Sequence, residues 1–221
     1  METTYDTSAH LAGIAGARVL AADGVRPATL GFQQGRIADR GTGTMLDAAN
    51  FLVLPGIVDL HGDAFERAVM PRPGVTFPYD AALHDVDRQL LANGITTEFH
   101  GVTLSWEGGL RGAPYAERMF EALDRMRPEM GAHHYVHLRF ETHNVDGVET
   151  AQGWIQQGLV RFVALNDHLP SMVKRLGDDR KLLQYAERAE CDLDTFQSRI
   201  RDAMQAADKV AGAMRELAAT A

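Results

Sequence analysis

LPGIVDLHGDAFER, residues 54–67, opens as an apolar run and closes on ionisable side chains. Leu54, Ile57, Val58 and Leu60 have the character of a short buried strand, and His61, Asp63, Glu66 and Arg67 follow at once. Two readings compete. In one, a buried strand opens into a functional site. In the other, an ordinary surface loop follows a strand. The remainder of the chain decides between them.

Downstream, strand and helix alternate. After the first strand at 56–61 comes a Pro/Gly-rich loop, MPRPGVTFPYD, and then a helix predicted over 81–93. Along it Leu83, Val86, Leu90 and Leu91 recur at three- and four-residue spacing. Gly94 stands where a helix ends in a left-handed residue. ITTEFHGVT (95–103) reads as a second strand and 114–128 as a helix. HHYVHLRFETH is the third strand, TAQGWIQQGL a short helix, and VRFVALND the fourth strand. Beyond Pro170 the pattern is helical, ending in what reads as one long helix. Alternating βα units imply a parallel sheet with helical crossovers, either a barrel or a doubly wound sheet. No Gly-rich nucleotide loop follows a strand, which weakens the doubly wound reading. Only four strands fit between 54 and 170, whereas a closed barrel needs eight and ~250 residues.

Upstream, residues 1–53 behave differently. ARVLAADGVRPATLGFQQGRIADRG holds short apolar runs broken at Asp23-Gly24 and Gln34-Gly35, which predicts strands joined by tight turns. The expectation is a small antiparallel β-module over 1–53, followed by a βα domain over 54–221.

Bulk composition narrows the function classes. The 221 residues are 45% hydrophobic and 24% charged, with a net charge of −8, which argues against nucleic acid and anionic membranes as partners. Nineteen Arg against three Lys suits bidentate recognition of phosphate or carboxylate, or a GC-rich genome. The lone Cys191 allows no intrachain disulfide. The N-terminus lacks a basic region with a long apolar core, so no signal peptide is expected and a cytoplasmic location is the default.

Chemistry collects at the predicted strand ends. These carry His61 and Asp63; His100; Arg139, Glu141 and His143; and Asp167 with His168. In parallel α/β architectures those ends converge on one face. Alternate strand positions point the same way, so His61 and Asp63 are candidate ligands for zinc, iron or manganese. His100 suits substrate contact, ligation or core packing. His137, Arg139 and Glu141 share one strand face. A carboxylate there could bridge metals or act as acid–base, or simply pair with Arg139. Asp167 and His168 could add a ligand or position a phosphate. Arg72, between two prolines, and nearby Arg67 suit a phosphate clamp.

Taken together, VLPGIVDLHGD and ANGITTEFHGVT resemble the amidohydrolase superfamily. LHGDAFERAVMPRPGV, HDVDRQLLANGITT, VHLRFETHN and VALNDHLP resemble one branch of it, the α-D-ribose 1-methylphosphonate 5-triphosphate diphosphatases of the carbon–phosphorus lyase pathway. The resemblance runs over about residues 15–170. It implies an α/β fold: a metal-dependent (β/α) barrel preceded by a small β-sandwich module. It also implies release of pyrophosphate from a phosphorylated ribose phosphonate by a divalent-metal site. His61, Asp63, Glu141 and His168 would be the metal residues, with Glu141 and Asp167 catalytic. Arg67, Arg72, Arg139 and His100 would contact substrate.

The family's later blocks, an SHDD-like histidine run and a late SDY-like aspartate, do not occur in this sequence. The barrel is therefore expected to be incomplete and the chain to resemble an N-terminal half, truncated and inactive alone. Alternatives are a non-catalytic remnant, a partner-binding half barrel, or an amidohydrolase acting on a C–N bond. The C-terminal helix is expected either to pack on the barrel or to supply a homo-oligomer surface.

Overall fold

The computed structural model describes residues 11–72 and 74–221. Residues 1–10, where the absence of a signal peptide is read, and Pro73 of the clamp loop lie outside the described residues. The chain divides between Gly56 and Ile57 into two compact units.

The first unit is one five-stranded sheet. β1 (Leu11–Ala21), β2 (Gly24–Gln33) and β3 (Arg36–Ala38) pair antiparallel, while β4 (Thr44–Asp47) and β5 (Leu52–Val53) lie parallel to β1. The sheet is thus mixed rather than antiparallel, and the described strands form one sheet rather than a sandwich. Short β4 and β5 return along β1 through connections instead of hairpins, so their direction is free of the turn constraint. Gln34 and Gly35 both have positive φ, 51° and 71°, the two-residue hairpin geometry that matches strand twist. The first hairpin turns one residue earlier than predicted: Ala21 pairs with Gly24, leaving Ala22-Asp23 as the loop.

The second unit is built on four parallel strands, β6 (Ile57–Gly62), β7 (Ile95–Leu104), β8 (His133–Glu141) and β9 (Phe162–Asn166), in the order β6-β7-β8-β9. The helices in its first half are α1 (Ala64–Val69), α2 (Tyr79–Ala92), α3 (Ala113–Met126) and α4 (Val148–Gln156). After β9 come α5 (Leu169–Val173), α6 (Asp179–Arg188), α7 (Leu193–Gln205) and α8 (Ala207–Thr220). Sequential strand order is the winding of a barrel; a doubly wound sheet reverses direction at a switch point. The sheet curls as half of such a barrel.

One face of this sheet is apolar. Val102, Leu104, Val136, Leu138 and Phe140 pack with Leu83, Val86 and Leu90 of α2, Met119 and Leu123 of α3, and Trp154 of α4. β6 and β9 are the outer strands, and Ile57, Val58, Leu60, Phe162 and Leu165 are exposed on them. The expected buried strand at 57–60 is therefore an exposed edge: a middle strand is covered by neighbours on both sides, and an outer one is not.

The single C-terminal helix expected from sequence is two. Phe196, Ile200 and Ala203 of α7 bury in a second core with Leu169, Met172, Leu182 and Ala186. Leu217 of α8 joins the main core, and α8 lies along α4. A straight helix could not turn its apolar side to both clusters, and the break at Ala206 lets each half serve its own. Among the described residues no helix is long and apolar enough to cross a membrane.

A buried polar chain ties α2 to the sheet. Asp87 accepts from the backbone N–H of Gly131 (3.0 Å) and of Ala132 (2.9 Å), and from His134 Nε2 (2.9 Å). His134 Nδ1 lies 2.8 Å from His100 Nε2. With Asp87 ionised, Nε2 of His134 carries the proton, its Nδ1 accepts from His100, and Nδ1 of His100 is left as a bare lone pair. Burial alone would raise the Asp87 carboxyl, but the donors from His134, Ala132 and Gly131 outweigh it and hold it low. Burial first, then the neighbouring His134, push His100 down to about 3.

Two outcomes follow from this chain. Asp87→Ala strands three buried donors and should cost about 3–5 kcal/mol in urea unfolding; a loss below about 1 kcal/mol would show that solvent replaces the carboxylate. In the unfolded chain His100 titrates near 6.5, above its folded value, so it favours unfolding progressively as pH falls from 6.5 toward 3. His100→Gln should therefore show a shallower stability loss over that window, by up to about 1.4 kcal/mol per pH unit. Parallel profiles for the two proteins would remove His100 as the titrating group.

Candidate active site

Strand alternation gives the curled sheet a second face, opposite the apolar one. Gly101 and Thr103 of β7 lie beside His137 and Arg139 of β8, and Glu141 closes the row. This is the face on which the sequence predicts chemistry, and five features of it can be stated.

First, Glu141 is buried, and both of its oxygens are engaged by one residue. Oε1 meets His168 Nδ1 in a short contact, and Oε2 accepts the His168 backbone N–H at 3.1 Å. His168 can do this because it is the N-cap of α5, immediately after β9, and β9 pairs with β8 in register Glu141↔Asn166. Second, His143 Nδ1 lies 3.4 Å from the half-exposed Asp167 carboxylate, a parallel link between the same two strand ends.

Third, His137 is buried and faces the His61 ring edge-on, with centroids 4.8 Å apart. Its Nδ1–H donates to the Leu60 carbonyl at 2.9 Å, so Nε2 is the unprotonated nitrogen, and Nε2 has no partner among the described residues. Burial, then the His61 and Arg139 charges, disfavour its protonation, against the opposing Leu60 hydrogen bond. A carbonyl fixing one imidazole nitrogen while the other stays bare is how metal-binding histidines are oriented.

Fourth, β6 ends at Gly62, so Asp63 is not a strand residue. It is the N-cap of α1, with no side-chain cap hydrogen bond, and its carboxylate is uncommitted among the described residues. Strand alternation therefore does not by itself align His61 with Asp63. Gly62 packs closely under Glu98: a Cβ at 62 would lie 1.3 Å from Glu98 Oε1. Burial, with Asp59 and Asp63 adding like charge, raises the Glu98 carboxyl to about 7.

Fifth, the fit to a metal is partial. His137 Nε2 and the neighbouring His61 offer unengaged imidazole on the expected face, but among the described residues no three His, Cys, Asp or Glu side chains gather as a ligand set.

His100 is a correction. β7 continues past it to Leu104, and its side chain is fully buried on the helix-covered face, against Phe65 and His134. It touches no strand-end space; Gly101 and Thr103 occupy the face expected of it. Arg139 stands between His137 and Glu141 with a buried Nε that has no partner among the described residues. Arg67 lines a surface hollow with Phe77 and Asp85 rather than the cavity that Arg72 lines. Arg72 instead lines a cavity beside His168 together with Arg111, Arg175 and Arg188. Sequence reading singled out none of the last three. Their signal was the recurrence of Arg in EGGLRG and MVKRLGDDRKLLQYAER, which only the packing of α5 and α6 gathers at one place.

No family model matches the sequence. The chain is 29% identical over 144 residues to the α-D-ribose 1-methylphosphonate 5-triphosphate diphosphatase of Escherichia coli (strain K12). The match covers 63% of this chain and 38% of that protein. The chain thus spans well under half the length of the curated relative it matches, and it resembles the branch suggested by its ordered sequence blocks.

Gly62→Ala should lower stability by about 1–3 kcal/mol, because the added methyl displaces a buried carboxyl that has no room to retreat. An unchanged urea midpoint would mean that Glu98 swings aside freely.

Proposed function

We propose that this chain forms the first half of a hydrolase site of phosphonate metabolism, one that releases pyrophosphate from α-D-ribose 1-methylphosphonate 5-triphosphate. The observation that carries the reading is the match to a diphosphatase of that name, joined to a strand-end row of His137, Arg139 and Glu141.

Each residue then has a role. Glu141, buried and oriented by His168, holds a proton taken from the attacking water. Asp167, linked to His143, is the second carboxylate at the same strand ends. Arg139 offers an unpartnered guanidinium nitrogen to a phosphoryl oxygen. His61 and His137, with Asp63 at the neighbouring helix start, would offer donors to a divalent zinc, iron or manganese ion without closing a three-ligand set by themselves, and that ion would polarise a phosphoryl oxygen when bound. His168 serves as the partner that positions Glu141.

A four-stranded sheet with two open edges holds substrate on one side only, so binding is expected without efficient turnover. Calorimetry with the ribose triphosphate should show binding that Arg139→Gln weakens about tenfold. A pyrophosphate-release assay with zinc, iron or manganese should show no sustained turnover. Robust metal-dependent release by the chain would overturn the half-site reading, and no binding of the triphosphate would overturn the substrate assignment.

A further inference from the structure

The cavity beside His168 has a volume of about 610 Å³, within the range of small-molecule sites. Four arginines line it, and they come from four separate segments. Arg72 belongs to the loop after α1, Arg111 to the turn following β7, Arg175 to the turn after α5, and Arg188 to the last turn of α6. Convergence of guanidinium groups from such distant positions is costly unless something anionic joins them, because like charges in a partly buried space repel.

The anionic groups of the protein offset only part of that repulsion. Glu107 is buried and is shared: its Oε1 lies 3.2 Å from Arg111, and its Oε2 lies 4.0 Å from Arg188. Arg111 Nε remains buried without a partner among the described residues. Burial, then the adjacent Arg111 charge, makes the Arg188 guanidinium harder to keep protonated, and Glu107 and Glu66 oppose this. Arg175 donates to the Ser171 carbonyl and, like Arg72, has no ion pair among the described residues.

The remaining walls hold these cations in position. The Tyr185 ring lies 5.7 Å from the Arg175 guanidinium carbon and 5.3 Å from that of Arg188, so stacking limits where both heads can go. Leu182 and Ala186 on the same helix are fully buried in the second core, which makes α6 a fixed support. His168 closes the side toward Glu141.

We propose that this arginine-lined cavity binds a condensed phosphate chain, a pyrophosphate or the terminal phosphates of a triphosphate, next to Glu141. This rests on the hydrolase reading for its place in a reaction, but not for the binding itself. A planar guanidinium matches two phosphate oxygens at once, and four such groups match a chain carrying several more closely than a single orthophosphate. Arg175 and Arg188 would hold the outer phosphates. Arg72 would close the cavity from the loop.

The test is titration calorimetry of the full 221-residue chain with inorganic pyrophosphate in EDTA, orthophosphate being the comparison. Pyrophosphate should bind at least about tenfold more tightly than orthophosphate and weaken as salt rises. Arg175→Gln and the exposed Arg72→Gln should each weaken it about tenfold, while Arg161→Gln, on another surface, leaves it unchanged. Arg72 lies in a loop outside both cores, so a folding defect cannot explain its effect. Equal binding by all variants, or no preference over orthophosphate, overturns the proposal. If pyrophosphate binding follows this pattern while the ribose triphosphate binds no better than pyrophosphate, the cavity stands and the phosphonate assignment falls. If the ribose triphosphate binds Arg72→Gln and Arg175→Gln as well as wild type, the assignment stands and the cavity falls.

Discussion

Four parallel strands laid side by side in chain order constrain everything else in the larger unit. Each strand must be joined to the next by a crossover, and the helices α2, α3 and α4 pack their apolar sides on one face of the sheet. That face becomes the core. The opposite face is left for residues that helices cannot cover, and there the alternation of β8 places His137, Arg139 and Glu141. Polar chemistry on one side and close packing on the other are two results of the same winding.

Two of the polar groups that enter the core are fixed by side-chain and backbone partners drawn from distant elements. Asp87 satisfies two backbone amides and His134, and through it orients His100. At the other end of β8, Glu141 is held by the ring and the backbone of His168. Both arrangements join residues remote in sequence, and both fix the orientation of the groups they hold. The first is sealed inside, which fits structural support. In the second, the carboxylate stands at the strand ends beside the arginine-lined cavity, which fits chemistry. The later helices complete this second arrangement: α5 carries His168 as its N-cap, and α6 carries Tyr185 and Arg188 to the cavity wall.

Much of the fold was legible because it depends on local pattern. The three- and four-residue spacing of Leu83, Val86 and Leu90 gives α2, Gly94 ends it at φ 77°, and Gln34-Gly35 makes a tight hairpin. Alternation of strands with helices implies parallel pairing, and the four strands lie where apolar runs stand. What local pattern does not carry is which strand is outermost, so the apolar Ile57, Val58 and Leu60 have the pattern of a buried strand yet stand exposed. Nor does it show that a strand outlasts its last polar residue, as β7 outlasts His100. The split between α7 and α8 is of the same kind: no proline or glycine marks Ala206, and the break reflects two separate cores.

By itself, then, the sequence determined the alternation of elements, the change of character near residue 54, and the ionisable residues that close β8 and follow β9. Those follow from side-chain periodicity and backbone preference, which act over a few residues. Only the tertiary structure decided which of these groups meet. Glu141 with His168, His137 with His61, and Arg72 with Arg111, Arg175 and Arg188 are brought together by strand register and helix packing. These long-range contacts depend on where whole elements dock, and no spacing within the sequence encodes them.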